Sequence, residues 1–188
     1  MADQGYARPE MLADSQWLAA HLQDDNIRIV DCDNREAYRR AHIPSAITVR
    51  GHNYLKEKEG ALRIMGPDQF AQTMGDMGIG NDTPVVAYDG FSGLYAARFW
   101  WALNYYGHTN VKVLNGGWDT WLSEGRPVTN TTTLPAKAAF APQVHEDFIA
   151  RWEQVQDAID TDTVVLDTRS DAEWTGENYR GTKRGGRV

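Results

Sequence analysis

The loop at residues 89–93 is the place where residue types and spacing in this chain could support chemistry. An apolar stretch, residues 84–88, leads into the loop sequence DGFSG, and a helix is predicted to begin at Leu94. A strand–loop–helix turn directs several backbone N–H groups to one place, and such turns bind anions. The first loop residue faces that place, and here it is the acid Asp89. The sequence therefore predicts an anion-binding loop whose leading side chain is itself anionic.

Asp89 allows two interpretations from the sequence alone. Its carboxylate could act as a nucleophile, as carboxylates do in some covalent mechanisms. Alternatively, the loop is catalytically degenerate and Asp89 caps the following helix or accepts hydrogen bonds from loop amides. The second interpretation agrees with the preference for Asp at helix N-termini.

Cys32 is the single cysteine of the chain, so an internal disulfide and a multi-cysteine zinc site are excluded. It lies between Asp31 and Asp33, and neighbouring carboxylates raise the pKa of a thiol. We expect a buried, unreactive cysteine.

The Asp31-Cys32-Asp33 sequence also resembles the Asp-x-Asp motif of haloacid-dehalogenase-type phosphohydrolases, which would hold Mg²⁺. The small hydroxyl residue expected after that motif is missing, which argues against this alternative.

The histidines and tryptophans favour structural roles. His42 precedes Ile43-Pro44 and is expected to fix a turn by hydrogen bonding, with a catalytic role as the alternative. His108 and His145 have no partner at ligand spacing, so no metal site is predicted. Tryptophans at helical spacing indicate core or domain-interface packing rather than ligand stacking; they are Trp100, Trp101, Trp118 and Trp121.

The elements that must position these residues alternate along the chain. Apolar strands are predicted at 27–30, 47–49, 84–88 and 111–114, and helices after the Asp14-Ser15 cap and at 35–40, 67–74, 94–106 and 117–123. This alternation predicts an α/β fold in which helices cover both faces of a parallel sheet. Gly116-Gly117 is expected to allow close backbone packing at a turn.

After residue 126 the composition changes, and the pattern of the first domain begins again. Residues 127–143 are rich in Thr, Pro and Ala and are predicted to be an inter-domain linker. An amphipathic helix at 148–159 and a strand at 163–167 follow, and the strand ends in Asp167 as the earlier one ends in Asp31. These aspartates are 167 − 31 = 136 residues apart, which suggests a duplicated domain. The second copy is incomplete, and we expect its exposed half-domain to favour self-association or partial disorder.

Composition restricts the class of protein. The 188 residues carry a net charge of −7, which argues against nucleic acid as a partner. The apolar runs are too short to span a membrane, and the N-terminus has no secretory pattern. We therefore predict a cytoplasmic protein without a membrane partner.

Several blocks resemble the rhodanese superfamily. IVDCDNREAY and AHIPSA, at residues 29–38 and 41–46, are similar to its N-terminal signature, and VLNGGW with Trp121 is similar to its C-terminal signature. The chain most resembles the tandem-domain thiosulfate and 3-mercaptopyruvate sulfurtransferases. This resemblance implies a first rhodanese-like domain at 10–126, the linker at 127–143, and the start of a second domain at 144–188, truncated before its reactive loop.

In that family a cysteine opens the reactive loop, and its thiolate takes a sulfane sulfur from a small donor anion to form a persulfide. Tandem members carry this cysteine in the second domain, and the first-domain loop commonly begins with Asp. The resemblance therefore implies that Asp89 occupies the cysteine position, that this chain contains no catalytic residue, and that it is inactive alone. No cofactor and no metal are implied. The substrate-binding candidates are Arg169, Arg180 and Arg184. The alternative is a catalytically dead rhodanese module with a binding or regulatory role.

Overall fold

A parallel sheet carries the 89–93 loop at the carboxyl end of its central strand. The computed structural model describes residues 5–51, 54–57 and 64–179. Its strands are β1 (Leu12–Ala13), β2 (Arg28–Asp31), β3 (Ile47–Thr48), β4 (Val85–Tyr88) and β5 (Val111–Leu114). They pair in the order β1-β5-β4-β2-β3, and all pairs are parallel. The predicted parallel sheet is confirmed, and the short edge strand β1 is an addition that the sequence pattern did not indicate.

The helices of the first domain begin and end close to the predicted residues. They are α1 (Ser15–Ala20), α2 (Arg35–Arg40), α3 (Pro67–Asp76), α4 (Leu94–Tyr105) and α5 (Gly117–Ser123). Local chemistry explains the starts of the first two, since the Asp14 side chain caps α1 and the Asn34 side chain caps α2. Among the helices that the structure describes, none is long and apolar enough to cross a membrane.

Two hydrophobic clusters cover the faces of the sheet. The larger cluster contains Phe70 and Met74 of α3 together with Phe99 of α4. The smaller cluster contains Leu18 of α1 and Trp121 of α5. Every residue of β4 is buried, as expected for a central parallel strand with helices on both sides. The predicted packing role of the tryptophans is confirmed: Trp121 is fully buried, while Trp100, Trp101 and Trp118 pack against the clusters.

The residues predicted to form a linker lie against the first domain. Thr129 forms an isolated antiparallel bridge with His42, and the Ala138 N–H donates to the Gly75 carbonyl. Phe140 is 8% exposed and its ring contacts Phe70 at 5.5 Å between centroids. Residues 127–146 are therefore held by backbone bonds and one buried aromatic side chain, rather than crossing open solvent.

The described residues after 146, which are 147–179, belong to a separate compact unit in which the predicted elements are only partly present. The helix predicted at 148–159 is shorter: α6 (Trp152–Ala158) begins after the extended residue Arg151 and ends before the extended residue Ile159, and a separate 3₁₀ turn covers Glu146–Phe148. The helix α7 (Asp171–Thr175) follows. The strand predicted at 163–167 is wrong, since these residues have no β-pairing in the structure. A strand requires a partner for its backbone groups, and here Val164 and Leu166 are 87% and 78% exposed.

Candidate functional site

The Asp89 carboxylate lies in the anion-binding position of its own loop. One carboxylate oxygen, Oδ1, accepts the N–H groups of Phe91 and Gly93 at 2.9 and 2.8 Å. The other, Oδ2, accepts those of Tyr95 and Ala96 at 2.7 and 2.8 Å. Asp89 is 1% exposed. The carboxylate therefore caps α4 and occupies the place that an external anion would take, which confirms the capping interpretation.

Two glycines shape the backbone around Asp89. Gly93 precedes α4 with φ of +87°, a left-handed conformation that other residues adopt at a cost. On the opposite side, a Cβ atom at Gly117 would lie 2.5 Å from the Asp89 carbonyl oxygen. That carbonyl accepts the N–H of Trp118 at 2.9 Å. The close packing predicted for the Gly116-Gly117 turn is thus confirmed, and it connects α5 to the loop.

Asp31, at the end of β2, is a second buried acid next to the loop. It is 2% exposed, and Tyr88 donates its hydroxyl hydrogen to Asp31 Oδ2 at 2.7 Å. The same hydroxyl oxygen accepts the Ile43 N–H at 3.1 Å, and Asp31 Oδ1 accepts the Asp33 N–H at 2.9 Å. Burial raises the pKa of Asp31 from 3.8 to about 7, against the lowering effect of the two hydrogen bonds. Asp31 therefore changes charge near neutral pH although it is buried at the carboxyl end of β2.

Asp33 and Cys32 complete this acidic region. Asp33 Oδ2 accepts the Gly90 N–H at 3.0 Å. Burial, aided by the charge of Asp89, raises the pKa of Asp33 above its ordinary value. Cys32 is fully buried, and burial together with the carboxylates raises the pKa of its thiol well above the ordinary value. The predicted burial of Cys32 is confirmed, and its low reactivity stays a prediction that this environment supports.

The phosphohydrolase alternative is not supported by the geometry. The Asp31 carboxylate faces a tyrosine hydroxyl and a backbone amide rather than an open cleft. In the described part of the chain, no group of three or more His, Cys, Asp or Glu residues could hold a metal ion.

His42 forms contacts that suit a turn: its ring stacks on Tyr38, and its nitrogens lie 2.6 and 3.1 Å from the carbonyl oxygens of Tyr38 and Thr131.

Of the three predicted substrate-binding arginines, the structure describes only Arg169, which belongs to the second unit. Arg169 pairs with Asp167, with Nε 3.0 Å from both carboxylate oxygens and Nη2 2.7 Å from Oδ2. Arg180 and Arg184 lie outside the described residues. Their role in binding a donor anion stays a prediction.

The sequence interpretation did not identify Tyr88 as part of this site. It is fully buried, and burial together with Asp31 raises the pKa of its phenol well above the ordinary value. The signal was present, because Asp31 and Tyr88 each end a predicted strand, and parallel strands place their carboxyl ends at one edge. The register pairs these two residues directly.

A parallel α/β sheet with an amide-lined loop after its central strand is the arrangement expected of a rhodanese-like domain, and comparisons agree. The sequence profile of the Rhodanese-like domain matches residues 14–124. Thiosulfate sulfurtransferase of Bos taurus is 31% identical over 182 residues, covering 88% of this chain and 61% of that protein. Sulfur carrier protein TtuD of Thermus thermophilus is 31% identical over 179 residues, covering 92% and 62%.

Solved structures extend the similarity to the fold. The structure of SseA from Escherichia coli, described with the catalytic mechanism of 3-mercaptopyruvate sulfotransferases, gives a TM-score of 0.81 at 23% identity. The match covers 94% of this chain and 71% of that one. The chain belongs to the rhodanese family. It spans 61–62% of the length of the bovine and Thermus relatives.

Proposed function

We propose that this chain is the non-catalytic first domain, with the beginning of the second, of a rhodanese-type sulfurtransferase, and that it does not transfer sulfur by itself. The donor would be thiosulfate or 3-mercaptopyruvate, and the acceptor cyanide or a thiol. A cytoplasmic location and a small sulfur-donor anion as partner of the full-length protein are part of this proposal. The observation that carries it is the Asp89 carboxylate bonded to four backbone amides.

The chemistry of sulfur transfer needs a group that this loop does not offer. A thiolate attacks the outer sulfur of thiosulfate, the S–S bond breaks, sulfite leaves, and the enzyme keeps a persulfide. Cyanide then takes the outer sulfur as thiocyanate and regenerates the thiolate. A carboxylate cannot form a persulfide. The one thiol of the described residues, Cys32, is fully buried and has a raised pKa, so its thiolate population is low.

The loop of this domain also cannot bind the donor anion in its present form. The Asp89 carboxylate already accepts hydrogen bonds from the amides that would stabilise a bound anion. A second anion at the same place would be repelled by the like charge. The role of the domain in the full protein would therefore be to cover the reactive loop of the second domain and to help shape the donor site. Such a role requires no residue of the first domain to react, and it is therefore consistent with a chain that is inactive by itself.

A direct assay tests the proposal with the 188-residue chain. We expect no thiocyanate from thiosulfate and cyanide above the uncatalysed rate, and no turnover of 3-mercaptopyruvate with a thiol acceptor. Mass spectrometry after incubation with either donor should show no added sulfur atom. The Cys32→Ser variant is the matched control for the only native thiol. Turnover by the chain, lost in that variant, would overturn the proposal.

The alternative is a catalytically dead module with a binding or regulatory role. It is favoured by the exposed apolar side chains beside the sealed loop, since Phe91 and Leu94 are 52% and 46% exposed. The mass of the natural gene product separates the two functions. Two complete domains imply about 30 kDa, whereas a product near 21.1 kDa, the mass of this chain, favours the binding module.

A further inference from the structure

We propose that a cleft on the first domain, distant in sequence from the 89–93 loop, binds a small organic cation. The cleft has a volume of about 660 Å³, within the range of small-molecule sites. It lies between the N-terminal segment, α1 and the residues after α5, and its walls include Tyr6, Trp17, Glu124 and Arg126. None of these residues takes part in the loop chemistry described above.

Aromatic rings remain exposed in the walls of this cleft. Trp17 is 37% exposed although it belongs to an amphipathic helix whose Leu18 is fully buried. The indole ring is stacked on His21, with centroids 4.2 Å apart, which fixes its orientation. Tyr6, 49% exposed, contributes a second ring to the same cleft. Exposed, oriented aromatic rings offer the electron-rich faces that attract organic cations.

The charges of the lining residues favour a cation over an anion. Arg126 is the cationic side chain that could attract an anion, but it is paired with Glu124 at 2.5 Å and lies over the Trp121 ring at 5.5 Å. Glu124 also accepts the Ser15 hydroxyl hydrogen at 2.5 Å, so its orientation is fixed. The remaining charged residue in the lining is Asp14.

Asp14 has no ion-pair partner in the described part of the chain, and its Oδ1 accepts the Trp17 N–H at 2.6 Å. The two carboxylates and the one guanidinium of the lining sum to a charge of −1. A ligand that carries one positive charge on an apolar, methylated nitrogen complements both the aromatic rings and this residual charge. An anionic sulfur donor does not, so this site is separate from the proposed sulfur-transfer function.

The test uses choline as the probe and 3,3-dimethylbutan-1-ol as its uncharged analogue of the same shape. Binding to the 188-residue chain is followed by NMR, from the broadening of the ligand methyl resonance and from the Trp17 indole N–H. We expect a saturable effect with choline and binding of the alcohol weaker by about fivefold or more. Equal binding of the two probes, or no binding of choline, overturns the proposal.

Two variants identify the groups responsible. Asp14→Ser removes the charge but keeps a side chain that caps helices well, so α1 should stay folded while choline binding weakens about fivefold. Trp17→Leu should weaken it at least as much. Trp152→Leu, which removes an exposed tryptophan of the other unit, is the matched control and should leave binding unchanged. Unchanged choline binding in both Asp14→Ser and Trp17→Leu would contradict the assignment of the site.

Discussion

Replacing Asp89 by asparagine should destabilise the first domain strongly although the two side chains have nearly the same shape. Each carboxylate oxygen accepts two backbone N–H groups at 2.7–2.9 Å. The carboxamide has one acceptor oxygen, and its NH₂ group would face two other N–H donors in either orientation. Asp89→Asn therefore loses two hydrogen bonds to a charged acceptor and gains a donor–donor contact.

The size of this loss follows from the hydrogen bonds. A hydrogen bond to a charged group contributes about 1.5–3 kcal/mol, so two give about 3–6 kcal/mol. Because the hydrogen bonds from Phe91, Gly93 and Tyr95 are only partly buried, an unpaired amide there keeps some access to water, and we expect the lower part of this range, about 3 kcal/mol. For a domain with a typical stability of about 5–15 kcal/mol, this is a large fraction.

Urea unfolding at pH 7.5, followed by tryptophan fluorescence, measures the change in the free energy of unfolding. Hydrogen exchange of the β4 amides reports the same quantity for the first domain alone. The matched control is Asp82→Asn, an exposed aspartate before the same strand, which should change stability by less than about 0.5 kcal/mol. If Asp89→Asn stays within about 1 kcal/mol of the parent chain, the four-amide account of this loop is wrong.

Five further outcomes are expected from residues of the first domain. The folded-state pKa of Asp31, about 7, lies above the ordinary 3.8, so between these pH values the folded state keeps a proton that the unfolded state loses. The free energy of unfolding should therefore fall as pH rises from about 4 to 7, by up to about 4 kcal/mol. Asp31→Asn, which mimics the protonated acid, should remove most of that fall in urea titrations at several pH values and should cost less than about 1.5 kcal/mol at pH 7. Asp89→Cys should give a thiol whose pKa, measured by the pH dependence of alkylation, is lowered because the loop amides stabilise the thiolate; a value above 8.5 would contradict this. Cys32 in the parent chain should react with a thiol reagent only as fast as the domain unfolds, and Phe140→Ala should cost about 3 kcal/mol in urea unfolding if residues 127–146 belong to the folded first domain.

The elements of the first domain could be predicted because their signals are local. The bounds of α2, β5 and α5 agree with the prediction to the residue, since caps, glycines and apolar periodicity lie within a few residues of each end. The strand at 163–167 shows where this fails. Its sequence, TVVLD, is as apolar as that of β2, but an apolar run becomes a strand only if another strand pairs with it, and partners are set by the tertiary fold.

The sequence predicts which residue types lie at the 89–93 loop, but it does not predict their hydrogen bonds. The sequence indicates an acid at the head of an amide-rich loop, yet it does not say whether that acid faces solvent or its own amides. The choice depends on the loop backbone: Gly93 takes the left-handed conformation that starts α4, and Gly117 lets α5 approach the Asp89 carbonyl. The sequence likewise places Tyr88 at the carboxyl end of a strand. Its hydrogen bonds to Asp31 and Ile43, however, depend on the β2–β4 register, which the sequence does not give.

The bonding of Asp89 bears on why a first domain of this kind would keep an acid in its loop. Four N–H groups directed at one point need an anion, and without one they are orphaned donors at the start of α4. A catalytic loop can meet this need with a thiolate or a bound substrate; under the proposed function this loop has neither, so the domain must supply the anion itself. Asp89 does so at 1% exposure and connects the loop through its carbonyl to Trp118 of α5. On this reasoning the acid stabilises the fold of the loop in the absence of substrate, and neutral replacements should weaken the domain whether or not a second domain is present.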